Sequence, residues 1–164
     1  VGLEPAVKPA ALSSRSGVIG ILATAATLRG KLFRETSPRY EDRVRIIARV
    51  GEGFVELVES DRESTPEAEQ AVRDAVAVML EHGADQIVLG CTHYPFLLPV
   101  LERVVAGRGV EIVDPSPAVA RRVVQLLDRY GLHVDPAHRA EYTFRTFADE
   151  AYRLRLERKA LGAL

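Results

Sequence analysis

Two short apolar runs constrain this chain more than anything else in it. Residues 17–23 (Gly-Val-Ile-Gly-Ile-Leu-Ala) and 86–90 (Gln-Ile-Val-Leu-Gly) are almost unbroken by polar side chains. Neither approaches the roughly 20 apolar residues that cross a bilayer as a helix. Neither alternates, as a strand with one wet face would. Runs of this kind suit strands covered on both faces, the environment of a parallel sheet between helical layers. The intervening text agrees. Residues 24–34 read as helix, 44–50 as a strand crossed by two arginines, and 54–59 as a short helix. Ser64 and Thr65 ahead of Pro66 and Glu67 give a hydroxyl cap, a first-turn proline and a Glu three residues after Ser64. Val72, Val76, Met79 and Leu80 continue that helix as an apolar stripe, and His82-Gly83 stops it. Residues 95–106 read as helix, 110–113 as strand, 117–130 as helix, 142–147 as strand and 149–161 as a last helix. Strands alternating with helices predict an α/β fold built from βαβ units around a parallel sheet.

Length and charge narrow the function classes. The chain has 164 residues, within the ~100–200 usual for one domain. Lys plus Arg number 22 against 23 Asp plus Glu, a formal charge of -1. A nucleic-acid partner is therefore not expected, because its footprint is a basic excess. The basic stretch 153–159 is diluted by Glu157 and reads as the wet face of a helix. One cysteine makes neither an internal disulfide nor a thiolate zinc cage. No metal site and no membrane partner are expected, and the cytosol is the expected compartment. Val1-Gly2-Leu3-Glu4-Pro5 reads like text from inside a protein, so a fragment, a trimmed chain or an unusual start codon is expected.

The strongest chemical signal is Gly90-Cys91-Thr92-His93-Tyr94-Pro95, where a buried strand ends and a helix is expected to start. Ligands of open α/β sheets bind outside the C-terminal ends of strands. A helix start there adds free N–H groups and a positive dipole end, which favour a thiolate. His93 could donate to the sulfur or carry charge beside it. A buried, inert cysteine is the plainer reading of a lone Cys after a strand. Thr24 and Thr27 follow the first strand and, in a parallel sheet, lie at the same edge as Cys91. Their hydroxyls suit a carboxylate, or simply cap a helix. Glu59 could hold an imidazole or face solvent, and Asp114 ends a further strand. No G-x-G-x-x-G follows a strand, and Gly30-Lys31-Leu32 does not complete a phosphate loop.

At these residues the sequence resembles the glutamate racemases of the aspartate/glutamate racemase family. Gly90 to Pro95 is similar to that family's second cysteine motif, and residues 18–24 with Thr27 to its strand-and-threonine motif. Residues 2–10, 54–59 and 113–116 are similar to its lead-in segment, its glutamate-bearing stretch and a later strand-to-helix turn. His93 separates the pattern from aspartate racemases.

The resemblance implies a fold and a chemistry. The fold is a parallel-sheet βαβ domain over 1–116 carrying Cys91, with a segment over 117–164 that returns to a first domain. The chemistry is cofactor-independent interconversion of L- and D-glutamate, which supplies D-glutamate for bacterial peptidoglycan. Cys91 would be one of two acid/base cysteines, with His93 and Glu59 assisting. Thr24, Thr27, Thr92 and His93 would contact the amino acid. Neither PLP nor a metal is used, glutamate is the expected ligand, and a homodimer is an assembly it allows. The family's Asp-Ser motif and first Cys-Asn-Thr motif have no counterpart in these 164 residues. An N-terminal racemase segment is therefore an expected partner. Two readings from other classes stand beside this one: a non-catalytic amino-acid-binding or interaction domain that kept the fold, and a hydrolase or transferase with Cys91 as nucleophile.

Overall fold

The computed structural model describes residues 5–135 and 137–162. Residues 2–4 of the lead-in segment lie outside them. Four strands run parallel in the order β2-β1-β3-β4: β1 (Val18–Ala23), β2 (Arg45–Val50), β3 (Gln86–Gly90) and β4 (Glu111–Val113). The two continuous apolar runs form the central pair, where both faces are covered. Ile19, Ile21, Leu22, Ile87 and Leu89 have no solvent exposure. Fully burying such a side chain contributes about 1.5–3 kcal/mol. β2, with its arginines, takes an edge and is half-exposed along its length.

Strand alternation sends these side chains into two cores. Leu22, Ile87 and Leu89 pack with Phe54, Met79 and Leu101, from α4 (Phe54–Glu59), α5 (Pro66–Glu81) and α6 (Leu98–Val105). On the other face Ile19, Ile21 and Val88 pack with Val7, Ala10 and Ala11 of α1 (Val7–Ser13), and with Leu28 and Phe33. Gly20 belongs where it is because a Cβ there would lie 2.4 Å from the sulfur of Met79.

Several expectations need correction. Residues 24–34 are not one helix. α2 (Ala25–Arg29) and α3 (Lys31–Thr36) are separated by Gly30, whose extended backbone breaks the ladder. The helix expected over 95–106 opens as a 3-10 turn, Tyr94–Leu97, before α6. Pro95 and Pro99 each remove a backbone donor there. Thr65, not Ser64, caps α5, accepting from the Ala68 N–H at 3.3 Å, and Glu67 pairs with Arg62 at 2.8 Å. Residues 142–147 form no strand. Their alternation has no neighbouring strand to pair with, and Phe147 stands fully exposed. α1 was not expected, since its seven residues leave only a weak period to read.

The last two helices are α7 (Ser116–Tyr130) and α8 (Glu150–Gly162). Asp114 ends β4 by accepting from the N–H and hydroxyl of Ser116 at 2.9 and 2.7 Å, a local turn that starts α7. Neither helix buries a residue completely. Among the described residues no helix is long and apolar enough to cross a membrane.

Candidate active site

Parallel pairing decides where the chemistry sits. Ala23 of β1 is the register partner of Gly90 of β3, so Thr24 and Cys91 leave adjacent strands at the same edge. The strands approach closely at this point. A Cβ on Gly90 would stand 2.8 Å from that of Ala23.

Thr24 caps α2, accepting from the Thr27 N–H at 3.2 Å, and the two hydroxyls lie 3.0 Å apart. Whichever hydroxyl donates in that bond, the other keeps its proton free for an acceptor at the sheet edge. The capping role and a ligand role are therefore compatible. Thr92 is exposed at the same edge.

Cys91, His93 and Glu59 form a connected line. The sulfur lies 3.9 Å from Nδ1 of His93, and Nε2 of His93 lies 3.2 Å from a carboxylate oxygen of Glu59. The His93 and Glu59 side chains are 29% and 31% exposed, sheltered but open to a small ligand. A carboxylate can only accept from neutral or charged imidazole. Glu59 therefore fixes the proton at Nε2 and turns Nδ1 toward the sulfur. That nitrogen can accept from the thiol when the ring is neutral and donate to the thiolate when it is charged.

Packing sets this spacing. Gly53, in the left-handed region at φ 74°, lets the chain turn into α4. Phe54, the first residue of α4, meets Tyr94 edge-on with ring centroids 5.1 Å apart. Tyr94 donates to the Gly51 carbonyl at 3.3 Å. The helix bearing Glu59 is thus clamped to the turn bearing His93. Burial first, and the charge of Cys91 second, push the Tyr94 phenol far above its ordinary range, so it stays a neutral donor. Because Cys91 precedes a 3-10 turn of four residues, the helix-dipole argument for the sulfur carries less weight than its imidazole neighbour.

The solvated-face reading of residues 153–159 needs correction. Lys159 is only 11% exposed and bridges Asp61, at 2.8 Å, and Glu63. Arg155 donates to the main-chain oxygen of Glu59 at 3.3 Å. These contacts join α8 to α4, and the matching acidic run Glu59, Asp61, Glu63 was the sequence signal that could have exposed them. Among the described residues no three His, Cys, Asp or Glu side chains converge as a metal would require.

Comparison with known proteins agrees in one direction. A family profile for Asp/Glu/hydantoin racemases matches residues 1–123. The glutamate racemase of Roseiflexus sp. is 47% identical over 132 residues, covering 80% of this chain and 48% of that protein. The Pseudomonas entomophila glutamate racemase is 43% identical over 149 residues, covering 91% and 56%. The crystal structure of Escherichia coli glutamate racemase, in complex with L-glutamate and the activator UDP-MurNAc-Ala, is 28% identical. It superposes with a TM-score of 0.77 over 97% of this chain and 60% of that one. The chain spans about half the length of the curated relatives it matches.

Proposed function

The chain belongs to the Asp/Glu/hydantoin racemase family, and from that premise we propose that it is the part of a glutamate racemase that works one face of the substrate. The observation that carries this is the line Cys91–His93–Glu59 at the sheet edge shared with Thr24. Racemisation needs a base on one side of Cα and an acid on the other. Cys91 takes the α-proton as thiolate, or returns one as thiol. His93 holds the sulfur's proton partner in place, and Glu59 orients the ring. The free hydroxyl of the Thr24–Thr27 pair, with Thr92, binds the substrate carboxylate. Donors there stabilise the charge that develops as Cα is deprotonated. His93 cannot serve the opposite face, since it approaches from the loop that carries Cys91.

The second acid/base therefore comes from a racemase segment outside these 164 residues. The unit 1–116 is the cysteine-bearing domain. The segment 117–164 carries an uncovered apolar stripe on α7 suited to that other domain. Val123 and Tyr130, one heptad apart on one face, are 39% and 62% exposed. The substrate is glutamate, in line with the relatives' names and the L-glutamate bound by the Escherichia coli protein, and the product feeds cell-wall peptidoglycan, as the family resemblance implies. No organic cofactor takes part, and the activity belongs to the cytoplasm.

The test is circular dichroism of L-glutamate over time. The chain together with the N-terminal half of a close relative, supplied as a separate polypeptide, should lose the L-glutamate signal. Cys91→Ala should abolish that loss. Turnover that survives Cys91→Ala overturns the assignment, and an acyl adduct trapped on Cys91 would favour a thiol hydrolase instead.

A further inference from the structure

We infer that α8 is a positioning element for the proton-transfer site, in which Arg155, backed by Tyr152, and Lys159 hold the end of α4 and thereby Glu59 and His93 in register with Cys91. The inference rests on the reading of Cys91, His93 and Glu59 given above and adds residues from a helix 96 positions away in sequence. Five contacts carry it. Arg155 donates through Nε to the main-chain oxygen of Glu59 at 3.3 Å, the last residue of α4. Lys159 fixes the turn that follows, bridging Asp61 at 2.8 Å and Glu63. The same ammonium lies 5.7 Å from the centre of the Phe96 ring, in the 3-10 turn directly after His93. Arg155 in turn stacks over Tyr152 at 5.7 Å. One helix face thus touches both sides of the Glu59–His93 bond.

The groups around Glu59 are few and their signs are consistent. His93 faces it from the 3-10 turn, Tyr152 and Arg155 from α8, and Asp61, Glu63, Arg158 and Lys159 form the outer ring. The Tyr152 phenol is raised above its ordinary range, first by hydrogen bonding with the Glu59 carboxylate. Asp61 is held below the usual carboxylate range, first by its hydrogen bond to Lys159. Burial works against the Lys159 charge, but hydrogen bonds to Asp61 and Glu63 outweigh it and leave the ammonium firmly protonated. Held this way, α8 restrains the main-chain end of the six-residue helix from which Glu59 reaches His93.

Alkylation of Cys91 by iodoacetamide as a function of pH tests this without any need for turnover, because Cys91 is the only thiol. Lys159→Gln and Tyr152→Phe should each change the alkylation rate by about threefold and displace its pH profile, a modest coupling for groups in one network. Lys159→Arg should restore the profile of the unaltered chain. Glu59→Gln should displace it on its own. Lys159→Gln added to Glu59→Gln should then change the rate by less than Lys159→Gln does alone, because the brace acts mainly by placing Glu59. Circular dichroism spectra confirm that each variant is folded, and two α8 variants guard against the loss of either. Profiles unmoved by Lys159→Gln and Tyr152→Phe, with Glu59→Gln effective, overturn the role of α8 and leave the Cys91–His93–Glu59 reading standing. Additive effects in the double variant overturn it equally. A profile unmoved by Glu59→Gln removes the reading itself, and the brace with it.

Discussion

A methyl group on Gly51 would sit 2.6 Å from both the Tyr94 hydroxyl and the Phe54 ring. Both rings are fully buried, and neither can give way without disturbing its neighbour. Gly51→Ala should therefore cost about 1–3 kcal/mol, the usual range for overpacking. It should also slow Cys91 alkylation, since Tyr94 sets the path of the loop that carries the sulfur. Chemical denaturation and iodoacetamide kinetics measure the two effects, and a lower stability with unchanged kinetics would show that the clamp does not reach Cys91. Tyr94→Phe is milder. It keeps the ring and removes one of two donors to the Gly51 carbonyl, which still accepts from the Phe54 N–H at 3.3 Å, at a cost of about 1 kcal/mol. At this scale much was legible. Thr24, Thr27, Cys91 and His93 were placed together by sequence alone, because parallel strands bring all their C-terminal ends to one edge. Glu59 was not, since its link to His93 spans 34 positions and leaves no local period. The residues left two readings for it, a partner for an imidazole or a solvated face, and the family resemblance favoured the first.

Asp85 shows how elements are tied end to end. Its carboxylate accepts from the Ser14 hydroxyl at 2.7 Å and from the N–H groups of Arg15 and Ser16 at 2.6 and 2.9 Å. It thereby joins the turn between α1 and β1 to the start of β3. Burial alone would raise its pKa, but these hydrogen bonds outweigh it and hold the carboxyl below the usual range. A folded value below the unfolded one stabilises the fold fully above the unfolded value, near pH 4, and that contribution fades as pH falls through the folded value. Asp85→Asn should cost about 1–2 kcal/mol at neutral pH. The gap to the unaltered chain should narrow toward pH 3, as urea unfolding at the two pH values would show. A gap independent of pH would mean that the charge is not what matters. Elements were legible where burial enforced a period. α4 and β3 fall on their expected bounds, Phe54–Glu59 and Gln86–Gly90. The failures share one cause, which is that local pattern does not state its partner. Alternation over 142–147 had no strand beside it, and the basic residues of α8 read as solvated until Asp61 and Glu63 came into view.

For the whole molecule the question is what one thiol can do. α7 leaves Val123, Val124 and Tyr130 exposed, and Leu132 and Val134 past its end are exposed as well. Supplying the remaining half of a racemase should cover this stripe and raise the thermal midpoint, because a partner that binds only the folded chain stabilises it by mass action. Activity follows the same division. By itself the chain should not interconvert the glutamate enantiomers, because Cys91 reaches one side of Cα and the opposite acid is absent from these residues. Proton removal and return on that single side needs only Cys91. In D2O it would place deuterium at Cα of one enantiomer with no change in optical rotation. The rate should be low, since substrate positioning contributes several kcal/mol of barrier lowering and is shared with the other half. Proton NMR of each enantiomer, alongside polarimetry, separates exchange from inversion. Exchange confined to one enantiomer and lost in Cys91→Ala fits a one-sided site. Robust inversion by this chain alone would require a second base within it, and His93 is the first residue to substitute in that search.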